Sequence, residues 1–182
     1  QELLAGPRNA ISLGVLPLTV QAPAGWGVNA VEGTNVVLLE GPTPAGQASI
    51  QLANRMVISS AKLDALVNGA KGEMKQNPDS MKMVELREPA RAGGVKVLER
   101  QRVGKMPSPL LSEEDGTKAS PPFSWTITAF VPRGADYETY ELNFIGLTAD
   151  QYETDKSLLR EIIDSLAVDA AGAGATSAPA AR

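Results

Sequence analysis

The sequence predicts an α+β fold in which blocks of strands are separated by two helices. Three observations carry this prediction. Several segments, such as residues 47–57 and 137–144, alternate apolar and polar residues with the period of a strand. Two segments, which begin near residues 60 and 149, place apolar residues at helical spacing. Turn residues between successive strands predict that neighbouring strands are antiparallel.

Length and composition are those of one globular domain. The chain has 182 residues, of which 43% are hydrophobic and 21% are charged. Its net charge of −4 does not supply the cationic surface that displaces counterions from a nucleic acid. We therefore expect no nucleic-acid partner.

The chain contains neither His nor Cys. This excludes an imidazole general base, a thiol nucleophile and the usual ligand sets for zinc, haem and iron–sulfur clusters. Only oxygen ligands remain for a metal ion. The sequence predicts no cofactor, no metal site and no catalytic residue.

The chain begins with Gln1 rather than Met, which predicts an exported, periplasmic or envelope protein, with any lipid anchor upstream of Gln1. The given sequence contains no run of 18 apolar residues, so it predicts no transmembrane helix in this chain.

The first third of the chain predicts a lead-in segment followed by strands. Residues 1–14 lack periodicity and form the lead-in. Residues 32–35 predict a hairpin turn, and the Gly/Pro cluster of residues 41–46 predicts another. The predicted strands cover residues 16–23, 26–31, 35–40 and 47–57.

The first helix begins at Ser59 or Ser60, whose hydroxyl can cap it, and ends at Asn77, because Pro78 disfavours helical backbone before it. Residues 69–72 (GAKG) lack the Lys-Ser/Thr ending of a phosphate-binding loop. Two charged strands follow at residues 81–88 and 95–103. Their charge predicts that each has a solvated face.

Residues 123–166 give the most continuous pattern, which is strand, turn, strand and helix. On the first strand, Trp125 and Ile127 share one face. A capping box from Thr148 to Gln151 begins the helix. Arg160 and Asp164 are predicted to lie four residues apart on its solvated side. The helix buries an apolar stripe on the sheet, formed by Tyr152, Leu159, Ile162, Ile163 and Leu166.

Residues 169–182 are rich in Ala and Gly and hold no large apolar side chain, which predicts a flexible tail. The single domain is expected to span residues 15–168.

The Pro-rich segment of residues 104–122 is the longest irregular piece, and such loops are often functional. One interpretation is a contact arm for a partner protein, and the other is a solvated insertion. The residues predicted to contact a partner are Lys105, Leu110, Leu111, Glu113, Glu114 and Asp115.

Other candidate sites are weaker. The acidic run of residues 113–115 lacks the ligand spacing of a calcium loop. Glu138 and Glu141 fall on opposite faces of one strand, so they do not form the carboxylate pair of a glycosidase. Trp26 is predicted to be a core or rim anchor rather than a ligand platform.

Four segments resemble the PsbP-like superfamily, which includes the extrinsic protein of photosystem II, a Ran-binding nuclear import factor and bacterial DcrB-type envelope lipoproteins. The bacterial members are the most similar. The resemblance implies an antiparallel sheet of about six or seven strands with helices packed on its faces. It also implies a non-enzymatic protein that acts by binding other proteins. The segments are residues 18–26 (LTVQAPAGW), 137–144, 150–155 and 159–166.

These observations predict a non-catalytic, exported or envelope-associated module that binds another protein. Two alternatives remain open. A secretion chaperone or adaptor would expose an apolar sheet face or groove to shield segments of an exported protein. A hydrolase without His would have to use Ser, Lys, Tyr or carboxylates, but we expect neither a nucleophile elbow nor a Ser-x-x-Lys signature.

Overall fold

The computed structural model describes residues 6–90, 93–104 and 123–168. Among these residues there are ten strands and two helices. In chain order they are β1 (Arg8–Ser12), β2 (Leu18–Pro23), β3 (Gly27–Ala30), β4 (Val36–Thr43), β5 (Gly46–Ser59), α1 (Ser60–Gln76), β6 (Met81–Arg87), β7 (Lys96–Val103), β8 (Phe123–Arg133), β9 (Asp136–Phe144), α2 (Ala149–Asp164) and β10 (Ala167–Val168).

Seven strands form one antiparallel sheet in the order β3-β4-β5-β9-β8-β7-β6. Strands β1, β2 and β10 form a second, three-stranded sheet. The α+β class, the seven antiparallel strands and the packing of helices on the sheet faces are confirmed.

Alternation along the strands separates two faces of the large sheet. On β8, Trp125 and Ile127 belong to the main core, whereas Phe130 belongs to a smaller core on the opposite side. The inner face packs against α2 and the small sheet. The outer face packs against α1, whose buried residues Leu63, Val67 and Ala70 contact this smaller core.

The helix limits follow from their caps. The Ser59 hydroxyl accepts the Lys62 N–H at 3.3 Å, and Asn77 ends α1 immediately before Pro78. The GAKG segment lies inside α1, as the missing phosphate-loop signature indicated.

The predicted capping box at α2 is half correct. The Thr148 hydroxyl accepts the Gln151 N–H at 3.2 Å. The Gln151 side chain, however, donates to the Gln47 carbonyl at 2.7 Å instead of returning to Thr148. It therefore ties the start of the helix to β5.

Two boundaries differ from the predictions. The lead-in segment contains β1, which pairs with β2 from Arg8–Pro23 to Ser12–Thr19 and shows no clear alternation of burial. Strand β4 continues through Gly41 and Pro42 to Thr43, so the predicted turn of residues 41–46 shrinks to residues 44–45. Pro42 is tolerated there because β3 pairs with β4 only as far as Glu40, which leaves the Pro42 edge free.

Trp26 explains why a glycine stands inside β4. The Trp26 ring is 8% exposed, and its Nε1 donates to the Pro42 carbonyl at 3.0 Å. A Cβ placed on Gly41 would lie 2.3 Å from the ring. Trp26 is thus an anchor of the β3–β4 edge, as predicted.

Glu99 of β7 is fully buried and lies between two arginines. Arg87 Nε donates to one carboxylate oxygen at 2.8 Å, and Arg160 Nη2 donates to the other at 2.8 Å. Arg87 also binds Asp164 at 2.6 Å. Burial lowers the pKa of Arg87, but the bonds to Asp164 and Glu99 outweigh burial and raise it.

The contacts of Glu99 correct one prediction. Arg160 and Asp164 do not pair with each other on the solvated side of α2, because Arg160 binds Glu99 of β7 and Asp164 binds Arg87 of the edge strand β6. The prediction that β7 has a solvated face is compatible with the structure, since Glu99 points into the inner face beside Ile127 while Arg100 and Arg102 on the other face are partly exposed.

Replacing Glu99 with Ala should lower the free energy of unfolding by about 3–5 kcal/mol, because it leaves the partly buried guanidinium of Arg160 without its carboxylate and that of Arg87 with Asp164 alone. Urea denaturation of the wild type and the variant measures this loss. The control is Glu161→Ala, which removes the half-exposed partner of Arg8 and should cost less than about 1 kcal/mol. Equal losses in the two variants would contradict the role of Glu99.

Replacing Gly41 with Ala should cost about 2–3 kcal/mol, because the added methyl group overlaps the Trp26 ring. Thermal unfolding followed by Trp fluorescence reports both the loss and the displaced ring. Gly27→Ala is the matched control on the neighbouring strand, where a Cβ meets nothing within 4 Å. A variant Gly41→Ala as stable as Gly27→Ala would show that the contact is not tight.

Candidate functional site

Helix α1 covers only part of the outer face of the large sheet. The uncovered part is called the open face and consists of one row of residues across four strands plus a neighbour. In register, Arg100 lies beside Thr126, Thr126 beside Asn143, and Asn143 beside Gln51. Glu141 lies on the same side of β9, opposite Thr128. All five residues are half-buried and polar.

The open face contains a cavity of about 260 Å³, which is smaller than the usual site for a small organic ligand. Its walls come from β7, β8 and β9, each of which is paired with a neighbouring strand on both sides. The lining residues are Arg100, Arg102, Thr126, Glu141 and Asn143.

Two of the charged lining residues already have partners of opposite charge. Arg102 binds Glu73 of α1 at 2.7 Å. Glu141 binds Arg55 at 3.2 Å and accepts a hydrogen bond from Asn143 Nδ2 at 2.9 Å. These pairs fix the side chains around the cavity and cancel each other's charge.

Arg100 differs from the other arginines of the sheet. Its Nη2 donates to the Thr128 hydroxyl at 3.2 Å, but its Nε is buried and has no hydrogen-bond acceptor. Within the described ranges, no carboxylate lies at ion-pair distance from it. Burial lowers the pKa of Arg100, and the more distant charge of Glu141 opposes this shift only in part.

This arrangement is suited to recognition of an anionic group. A buried donor without an acceptor is uncommon in folded proteins and costs about 1–3 kcal/mol unless a ligand or water satisfies it. The neighbouring Thr126 and Asn143 add polar groups to the cavity wall. The guanidinium stays charged at neutral pH, so it binds charge and does not act as a general base.

The predicted partner-contact residues Lys105, Leu110, Leu111, Glu113, Glu114 and Asp115 lie outside the described residues. Their attachment points are described. Val103 and Phe123 pair directly in β7 and β8, and the next pair inward is Arg102 with Ser124. The segment therefore joins the sheet one residue beyond the wall of the cavity.

The two glutamates of β9 lie on opposite faces, as the alternation predicted. Glu138 lies on the inner face and accepts a hydrogen bond from Asn54 Nδ2 at 2.6 Å. Glu141 lies on the open face. They do not face one cleft.

The expectation that the chain lacks a Ser-x-x-Lys signature is wrong, because the spacing occurs at Ser59 and Lys62. In the structure the Ser59 hydroxyl caps α1. The Lys62 amine lies 4.0 Å from the Met56 sulfur. The spacing therefore serves the helix start, and the amine is directed to Met56.

Within residues 6–90, 93–104 and 123–168, no group of three or more acidic side chains is arranged to hold a metal ion. The acidic run of residues 113–115, considered for calcium, lies outside these ranges. None of the described helices is long and apolar enough to cross a membrane.

A larger cavity, of about 570 Å³, lies between β1, β2 and the end of α2. Its main charges are already paired, Arg8 with Glu161 and Asp164 with Arg87. It therefore lacks the unpaired charge that distinguishes the open face. Its lining residues are Arg8, Gln21, Pro89, Ala90, Glu161, Asp164 and Ser165.

Sequence reasoning missed Arg100. The alternation of Arg100 and Arg102 in the β7 segment was the available signal, because it places both arginines on one face. Glu99 concealed this signal, since the charged residue between the two arginines left open which face of the strand is solvated.

No protein-family model and no curated protein sequence matches the chain. Among solved structures, it is similar to the solution structure of cyanobacterial PsbP (CyanoP) from Synechocystis sp. PCC 6803. The identity is 13% and the TM-score 0.48, over 90% of this chain and 93% of that chain. It is also similar to a crystal structure from Bacteroides thetaiotaomicron VPI-5482, with 16% identity and a TM-score of 0.43, over 92% of this chain and 50% of that chain. At these identities and TM-scores, neither structure carries an argument about function.

Tyr140, on the inner face beside Glu138, gives a prediction for alkaline pH. Burial, and then the charge of Glu138, raise the pKa of Tyr140 to about 12. In the unfolded chain a tyrosine titrates near pH 10, so the folded state holds the proton more tightly. This contribution is complete below pH 10 and is lost as the pH rises towards 12, by about 2–3 kcal/mol.

Urea unfolding of the wild type and Tyr140→Phe between pH 9 and 12 measures this contribution. The stability of the wild type should fall more steeply than that of the variant in that window. Parallel pH profiles would contradict the assignment.

Proposed function

We propose that this chain is a non-catalytic, exported or envelope-associated module that binds another protein through the open face. One observation carries the proposal: α1 leaves part of the outer sheet face uncovered, and that part contains a rigid polar cavity with an unsatisfied arginine donor. A solvated face alone needs no such arrangement, because antiparallel sheets commonly have one wet side.

The chemistry of the open face favours a polar, specific contact. Its residues alternate with core residues on the same strands, so their backbone positions are fixed by the packing of the inner face. Pairs such as Arg102–Glu73 and Glu141–Arg55 limit side-chain motion before a partner arrives. Such preorganisation reduces the entropy lost on binding.

The contact arm predicted at residues 104–122 remains part of the proposal. It is supported by the position of its attachment points, Val103 and Phe123, next to Arg102. A partner that covers the open face would lie close to these two attachment points. The exported or envelope location rests on the sequence resemblance.

The chaperone alternative is less well supported, because the open face is polar. The exposed apolar side chains lie elsewhere, with Met56 51% exposed and Val57 49% exposed at the irregular end of β5. A chaperone that used these residues would lose affinity for an apolar client in Met56→Ser, and a module that binds through the open face would not.

Thr126→Tyr should weaken capture of the partner at least about tenfold, because the ring fills the cavity while tyrosine suits a strand. The partner is first isolated with the tagged chain from envelope extract of the source organism and identified. Its affinity for each purified variant is then measured by calorimetry. Asn68→Tyr, on the exposed side of α1, is the matched control and should bind as the wild type does.

Deleting residues 106–120 tests the contact arm separately. The shortened chain should keep its melting temperature and lose part of its affinity. Unchanged affinity would remove the segment from the proposal. If Thr126→Tyr and Asn68→Tyr bind the partner equally well, the open face is not the binding surface.

A further inference from the structure

The charges around the open cavity leave one positive charge uncompensated. Arg102 is neutralised by Glu73, and Glu141 is neutralised by Arg55. Arg100 lines the same cavity and makes one hydrogen bond, to the neutral hydroxyl of Thr128. Its buried Nε has no acceptor. A ligand that completes this site must supply one negative charge and a hydrogen-bond acceptor.

We infer that the cavity receives the carboxylate of an Asp or Glu side chain from an extended acidic segment of the partner, bound by Arg100. This inference rests on the proposed function and adds the chemistry of the partner.

The guanidinium geometry supports a carboxylate. The Nε–H and an adjacent Nη–H of arginine lie in one plane and match the two oxygens of a carboxylate. Because the buried Nε of Arg100 has no acceptor in the described structure, one half of this fork lacks a partner. Among the described residues of the cavity wall, the Arg100 Nε is the buried donor without an acceptor, and a carboxylate oxygen there would satisfy it.

The size and charge of the cavity disfavour other anions. A phosphate ester carries up to two negative charges at neutral pH, and the Glu141 carboxylate in the wall would repel the second one. A volume of about 260 Å³ suits a side chain better than a nucleotide or a cofactor.

The position of the cavity favours a side chain over a chain terminus. The cavity lies across β7, β8 and β9, within the sheet rather than at its edge strands β3 and β6. Strands β7, β8 and β9 extend beyond the cavity at both of its ends. An extended segment of a partner can therefore cross the open face and place one side chain in the cavity.

The test observes the Arg100 Nε–Hε signal by nitrogen-15 NMR of the full chain while a probe is added. The probe is tetraglutamate with acetylated and amidated ends. The expected result is a saturable shift of this signal, whereas blocked tetraglutamine leaves it unmoved. An unmoved signal with tetraglutamate at millimolar concentration overturns the inference. The wild-type measurement does not depend on how any variant folds.

Variants test the specificity of the contact. Arg100→Gln should lower the affinity for tetraglutamate at least about tenfold, because the charge and the fork are both lost. Arg100→Lys keeps the charge but loses the fork, and should recover only part of the affinity. Arg133→Gln removes the same charge from an exposed arginine and should change affinity less than about twofold. Equal losses in Arg100→Gln and Arg133→Gln would show a general charge effect and overturn the inference.

Two further probes distinguish other ligands. Inorganic phosphate at matched ionic strength should not displace tetraglutamate, and displacement at equal concentration would overturn the choice of a carboxylate. Tetraglycine with a free carboxyl end should not shift the Arg100 signal. A shift with tetraglycine but not with tetraglutamate would assign the site to a chain terminus and overturn the choice of a side chain.

This outcome is separable from that of the proposed function. If capture of the partner depends on Thr126 and tetraglutamate does not reach Arg100, the open face binds a partner of different chemistry. If tetraglutamate binds Arg100 and Thr126→Tyr captures the partner normally, the cavity binds carboxylates but the open face is not the partner surface.

Discussion

The buried carboxylate of Glu99 is the constraint on which the arrangement of this protein depends. A carboxylate without exposure is tolerated only where hydrogen bonds and opposite charges surround it. Here the two arginines come from β6 and α2, so this one carboxylate of β7 links the edge strand of the sheet to the last helix. The apolar stripe of α2 supplies most of the driving force, because its leucines and isoleucines are buried. The ion pairs determine the orientation of α2 about its own axis, since only one rotation of the helix brings Arg160 to the Glu99 carboxylate.

The same constraint determines the opposite side of β7. Neighbouring residues of a strand point to opposite faces, so an inward Glu99 requires an outward Arg100. Arg100 then lies in register with Thr126 and, across one more strand, with Asn143. The cavity of the open face is thus a consequence of how the inner face is packed. A slip of β7 by one residue would bury Arg100 in the main core and expose Glu99, at a cost that the sheet cannot offset.

The limits of sequence reasoning follow from the same residues. Strands with regular alternation, such as β5 and β9, and helices with clear caps were predicted correctly, because local patterns determine them. Strand β1 was missed, since its partner β2 stabilises it and its own burial shows no clear alternation. The continuation of β4 through Gly41 depends on a contact with Trp26, which is distant in sequence.

The pairing of charges was the least predictable feature. Arg160 and Asp164 have the spacing of a pair along a helix, which contributes only about 0.2–0.5 kcal/mol, and stronger partners across the fold outweigh it. No local rule distinguishes an arginine that will find a carboxylate from one that will not. The candidate site was missed because Arg100 becomes distinctive only when every other charge near it has a partner.

This contrast divides the arginines of the protein into two groups. Arg87, Arg102 and Arg160 each bind a carboxylate of another element, and their role in holding β6, β7 and the helices together is sufficient to explain them. Arg100 receives no such compensation, although burial of its Nε carries a desolvation cost. Selection for stability alone would favour a neutral β-branched residue at that position, which would pack beside Thr126 without the cost. An interaction that forms only when a partner is present gives a physical reason for arginine there, because the cost in the free protein is offset in the complex.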